Sequence, residues 1–174
     1  MATYKIDAMH SNIEFKVKHL MISTVTGKFN SYDATLQSEA ADFSDASITF
    51  SAEINSISTG NEQRDQHLIG ADFFDAASFP TVSFASTSFT KKAENEYTLV
   101  GNLTLKGITK EVALAVEFGG VMTDFYGQEK AGFDIVGKIN RKDFGLTWNG
   151  ITEAGGVVLG DDIKLNFSVQ MTKQ

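Results

Sequence analysis

Three histidines, His10, His19 and His67, are the residues of this 174-residue chain best suited by type to hold a metal ion or move a proton. Zinc needs three or four ligands converging on one point. His10 and His19 stand nine residues apart, so one continuous strand would turn them to opposite faces. His67 falls in a segment of different pattern. The spacing therefore predicts no metal site. His19 reads as an interior polar anchor, and the other two as local hydrogen-bonding groups. The chain has no cysteine, which removes disulfides, thiolate ligands and a thiol nucleophile. His10–Ser11 are adjacent, but adjacency does not make a nucleophile and its base. No Gly-x-Ser-x-Gly, Walker loop or strand–GxGxxG–helix unit occurs. His19 with Ser86 or Ser88 is the one acid/base set that strand parity allows. It defines the enzymatic alternative, a hydrolase or isomerase acting on an apolar substrate. The main reading assigns no catalytic residue.

The elements that must position these groups show a period of two. Alternating segments run through Ile13–His19, then Val25–Phe29 and Tyr32–Leu36, with a parity flip at Asn30–Ser31 that predicts a β-bulge. Others cover Ala46–Ile54, Val82–Ser88, Tyr97–Leu105, Val112–Phe118, Ala131–Ile139 and Ile163–Met171. Lys106–Gly107 supports a tight hairpin. Gly119–Gly120 and Gly155–Gly156 read as turns. About eight strands with one apolar face each is the number that closes into a small barrel able to hold one ligand.

One segment breaks the pattern. Thr59–Gly60–Asn61–Glu62 matches a capping box with Thr59 as the cap, so a short helix is expected through Ile69, stopping at Gly70. Asp72 then starts a turn carrying Phe73 and Phe74, before the single proline, Pro80. This apolar insertion predicts a lid over one barrel mouth. Helix neighbours do not face each other, so Arg64 and Asp65 are each expected to find a different partner. Arg64 reads as a latch to the rim. Arg141, with Asp143 in NRKDFG, reads as a similar latch at the opposite end.

Fourteen phenylalanines stand out. Phe15, Phe29, Phe50, Phe84, Phe133 and Phe167 share the inward parity, interleaved with the small residues Ala34, Ala52, Gly101, Ala131 and Gly137. Mixed large and small inward residues fit either a tapered packed core or a tunnel, and composition leaves both open. The net charge of −7 disfavours nucleic acid, whose phosphates need a basic stripe, and charge-driven docking on anionic head groups. No apolar run reaches membrane-spanning length, and no signal-peptide pattern opens the chain. The expectation is a cytoplasmic protein, periplasmic if a leader has been removed, and not embedded in a membrane.

Four separated blocks carry a family resemblance. They are IDAMHSNIEFKVKHLMISTVTGKF, RDQHLIGADFFDAASFPTVSF, GNLTLKGITKEV followed by NRKDFGLTW, and the closing GDDIKLNFSV. In that order the chain resembles the YceI-like proteins, also called polyisoprenoid-binding lipocalin-like proteins. The resemblance implies an all-β fold: an eight-stranded antiparallel lipocalin-like barrel with a short helical insertion over one mouth. It implies an apolar tunnel binding a long isoprenoid, a quinone tail or a similar amphiphile, with no other cofactor, for storage or transport. It also implies pairing as a homodimer. The expected tunnel residues are Phe15, Val17, His19, Phe29, Phe50, Ala52, Phe73, Phe74, Phe84, Leu103, Leu114, Phe133, Ile135, Trp148 and Phe167. Arg64, Asp65 and Arg141 are expected as polar rim or latch, and His19 or Arg64 as the head-group partner. An empty barrel serving a stress response is the remaining alternative.

Overall fold

The computed structural model describes residues 1–20, 22–148 and 159–174, so the turn expected at Gly155–Gly156 lies outside the described residues. Among those residues eleven strands form one antiparallel sheet: β1 (Ala2–Ile6), β2 (Asn12–His19), β3 (Ser23–Phe29), β4 (Tyr32–Ser38), β5 (Ser47–Glu53), β6 (Ile57–Ser58), β7 (Thr81–Ala93), β8 (Glu96–Leu105), β9 (Ile108–Thr123), β10 (Glu129–Asn140) and β11 (Leu159–Lys173). One helix, α1 (Glu62–Ile69), interrupts them.

Three pairs of strands are halves of one bent path. β1 and β2 are joined by a turn at Ala8–His10, β3 and β4 by Asn30–Ser31, and β5 and β6 by a turn at Ile54–Ser56. Each half keeps the same two neighbours: β11 pairs with β1 and with β2, β4 pairs with β1 while β3 pairs with β2, and β5 and β6 pair with β4 and β3. The eleven segments are thus eight continuous staves, closed where Tyr4 meets Lys173 and Phe15 meets Leu165. This is the predicted eight-stranded antiparallel barrel. β1 was not foreseen as a strand.

Closure leaves each stave one inward face, and the alternation supplies its apolar side chains. The ladders carry several register shifts, and one of them moves an expected inward residue. A register shift between Ser86 and Ser88 inserts an extra residue, and beyond it Phe89 is buried while Ser88 is exposed. The expected inward position of Ser88 is therefore corrected: the bulge turns the next residue in. At Lys106 and Gly107, φ values of +51° and +75° make the tight hairpin foreseen there.

The insertion caps one end, with different local contacts from those expected. Asn61, not Thr59, caps α1: its side-chain oxygen accepts from the Arg64 amide at 3.1 Å. Gly70 ends the helix with φ −77°, outside the left-handed region. α1 itself buries no side chain. Phe73, Phe74 and Ala76 after it do the covering, packed with Ile54, Val82, Leu105, Ile139, Phe144 and Leu146.

The other end is closed by the loop between β4 and β5. Phe43 is almost fully buried there, edge-on to Tyr4, Phe118 and Phe133 with ring centroids 5.2–5.4 Å apart. Its φ of +61° is unusual for a bulky side chain. The loop is tied by the Asp45 carboxylate, which accepts from the Glu39 and Ala40 amides and the Ser38 hydroxyl. The Tyr97 hydroxyl donates to the Asp42 carbonyl.

Candidate functional site

The barrel is not packed solid. A cavity of about 160 Å³ runs along its interior, lined only by apolar side chains. Of the expected tunnel residues, Phe15, Phe29, Phe50, Phe74, Phe84, Leu103, Leu114, Phe133, Ile135 and Phe167 line it. Ile6 and Phe89 also line it and were not foreseen. Ile6 lies on the unrecognised first strand, and Phe89 follows the bulge.

A second cavity of about 70 Å³ lies under the insertion. Val17, His19, Phe73, Arg64 and Arg141 line this one. Phe15, Phe74 and Ile163 line both and form the partition between them. An engineered apolar cavity of about 150 Å³ holds benzene. The larger space therefore accepts a ring or a short branched chain as it stands, and a longer chain requires the partition to move.

Three expected site residues fall outside both cavities. Ala52 is buried at 1% exposure, but it sits in the ladders between Tyr32 and Val82 and packs into the cluster around Ile54 and Phe74. Trp148 packs against the insertion, edge-on to the His67 ring at 4.8 Å and tilted against Phe73 at 5.2 Å. Asp65 turns its carboxylate to Thr59, accepting from its amide at 2.8 Å and its hydroxyl at 2.6 Å.

Nor do the small inward residues hollow the barrel. A Cβ built on Gly101 would stand 2.4 Å from Phe84 Cζ, and one on Gly137 2.2 Å from Leu114 Cδ2. Large neighbours already occupy that space. The glycines instead let those side chains lie against the wall, which keeps the axis open.

The polar groups act as fasteners. Arg64 and Asp65 share one partner rather than two: Arg64 donates from Nε to the Thr59 hydroxyl and from Nη2 to the Thr59 carbonyl, both at 2.8 Å. Side chains one residue apart on α1 converge because Thr59 wraps beneath the first turn. Arg141 stands at the same end as Arg64, not the opposite one, since both line the smaller cavity. It is 2% exposed and donates to the carbonyls of Leu146 (2.5 Å), Trp148 (2.8 Å) and Gly160 (2.9 Å). Burial pushes its pKa below the ordinary arginine value, and Asp161 pulls it back up. Arg141 thereby ties the turn after β10 to the start of β11.

The histidines stay apart. His10 pairs with Asp7 at 2.8 Å, His67 approaches Asp72 at 3.4 Å, and His19 lines the smaller cavity. Among the described residues no three His, Asp or Glu side chains gather where a metal could bind. Ser86 takes the Ile48 amide at 2.8 Å, and neither Ser86 nor Ser88 lines a cavity. The acid/base set that parity allowed does not assemble.

Fold and interior together define a closed eight-stranded antiparallel barrel built around an apolar cavity. The chain belongs to the YceI-like domain family, whose model matches residues 4–171. A UPF0312 protein of Staphylococcus aureus strain MSSA476 is 38% identical over 173 residues, covering 99% of this chain and 98% of that protein. The crystal structure of the Campylobacter jejuni YceI protein is 34% identical with a TM-score of 0.78, covering 90% of each chain. Two more distant structures share the fold. Burkholderia cenocepacia BcnA has a TM-score of 0.83 at 22% identity over 95% of this chain and 98% of its own. A polyisoprenoid-binding domain from Saccharophagus degradans has a TM-score of 0.68 at 14% identity over 98% of both.

Proposed function

We propose that this protein binds a long apolar lipid, a polyisoprenoid or quinone tail, inside the barrel for storage or transport, and that it does so as a binding protein rather than an enzyme. The observation that carries this reading is the 160 Å³ cavity with an unbroken apolar lining. Each methylene moved from water into such a space contributes about 0.8 kcal/mol, so a prenyl chain binds without polar contacts along its length. The Saccharophagus degradans domain of the same fold, described as polyisoprenoid-binding, supports the chemical class. The tail lies along the larger cavity and displaces the Phe15–Phe74 partition as it lengthens. His19, lining the smaller cavity, is the side chain available to a head group there, and Arg64, which also lines it, would have to give up its bonds to Thr59 to join it.

Titration of the delipidated protein with a fluorescent prenyl probe, alongside mass spectrometry of an organic extract of the purified protein, tests this. Saturable one-to-one binding with displacement by unlabelled prenols is expected. Absence of saturable binding, together with a lipid-free extract, would overturn the reading.

A further inference from the structure

The β9–β10 hairpin carries a feature that the barrel interior does not explain. Met122, Phe125 and Tyr126 are exposed at 76%, 106% and 89% on its tip, with Val121 beside them. Asn140, at the far end of β10, leads directly into Arg141 under the insertion. The tip therefore projects from the opposite end, where Phe89, Phe133 and Met171 line the large cavity. Exposed Met9 joins this end: Asp7 beside it bonds the Gln170 carbonyl and pairs with Lys130, whose register partner is Met122.

We propose that this tip docks on the surface of a zwitterionic lipid bilayer. Three observations select that partner. First, the turn satisfies most of its own backbone: the Asp124 amide donates to Gln128 O at 2.9 Å, the Gly127 amide to Asp124 O at 3.1 Å, and the Tyr126 and Gln128 amides to Asp124 Oδ1 at 2.9 Å. A loop entering a lipid interface has to meet that condition, because unsatisfied amides are costly away from water. The same bonds turn the Asp124 carboxylate inward to the turn.

Second, the charges behind the tip are neutralised in pairs, Lys130 with Asp7 at 2.9 Å and Lys173 with Glu129 at 3.3 Å. With a net charge of −7 the chain has no electrostatic pull toward anionic lipid. Attraction must come from apolar and aromatic side chains, and Phe and Tyr flanked by Met and Val suit the head-group boundary. Third, the patch is small. Two aromatic rings of about 150–250 Å² each with a Met and a Val fall short of the ~800 Å² per partner that a specific protein interface buries.

Flotation with phosphatidylcholine vesicles tests the proposal. The wild type should float with the vesicles, independently of salt, and the double variant Phe125→Ser, Tyr126→Ser should lose at least tenfold in partition. Both positions are exposed, so the variant should keep the wild-type melting temperature and vesicle-free titration with the fluorescent prenyl probe. Those controls separate this result from the fate of the lipid-binding reading. Failure of the wild type to float, equal flotation of the variant, or flotation only with phosphatidylglycerol would overturn the proposal. So would a dimer, seen by sedimentation equilibrium and lost in the variant, with no vesicle binding.

Discussion

The ring of Phe15 lies over the backbone of Gly27, its register partner across β2 and β3, so closely that a Cβ on Gly27 would stand 2.3 Å from Phe15 Cζ. The glycine lets this ring lie close against the wall where it forms part of the partition between the two cavities. Gly27→Ala should push the ring off the wall and further across the lumen, thickening the partition between the cavities. Overpacking of this kind costs about 1–3 kcal/mol. Urea unfolding should show that loss, and prenyl probe titration should show weaker binding. Adding Phe15→Leu should recover part of both, since the clash is with the ring.

Phe74 forms the other side of the partition. Phe74→Ala should merge the two cavities, at a stability loss of about 3–5 kcal/mol for a buried phenylalanine. Competition against a series of prenols should then shift in favour of longer chains. An unchanged chain-length preference in the folded variant would remove Phe74 from that role.

Arg141 makes a structural prediction. Arg141→Met leaves three carbonyls without their donor, and hydrogen bonds to charged groups contribute about 1.5–3 kcal/mol each. A loss of about 3 kcal/mol or more is expected. The chain's one tryptophan, Trp148, supplies the readout, because its carbonyl is among those released. Its emission should shift to longer wavelength well before global unfolding.

The barrel should also weaken in acid through Asp7. Lys130 and then His10 hydrogen-bond its carboxylate and lower its pKa from 3.8 to about 2. A depressed folded-state pKa gives stability that is present above the unfolded value and lost as pH falls through the folded one. The Asp7 contribution should thus be complete above pH 4 and disappear between about 4 and 2. Asp7→Asn should flatten the melting temperature over that window, with little change in slope near neutrality.

Much of this architecture was legible because closure forces alternation. Wherever a stave ran unbroken, as in Tyr97–Leu105 or Ala131–Ile139, parity identified the inward face. It failed at Ser88 because an inserted residue leaves no local mark beyond the slip it causes. It misplaced Ala52 for a different reason: inward parity says that a side chain leaves the solvent, not whether it meets a void or Val82. The fasteners were harder still. Thr59 satisfied the capping-box pattern, but Asn61 took the cap once Thr59 was engaged by Arg64 and Asp65. The end of the barrel that holds Arg141 depends on how β10 runs through the closed sheet, which no local pattern encodes.

The closure seam also governs how the chain folds. β11 lies between β10, its neighbour in the sequence, and β1–β2, whose residue Tyr4 waits for Lys173. Staves from β7 to β10 can zip as successive hairpins, whereas the seam spans nearly the whole chain. Pairings of that sequence separation carry a large loop-closure entropy and slow the search. Until β11 arrives, the growing sheet has two free edges and an open apolar face. The interval before that last pairing is when this sequence is most exposed to aggregation.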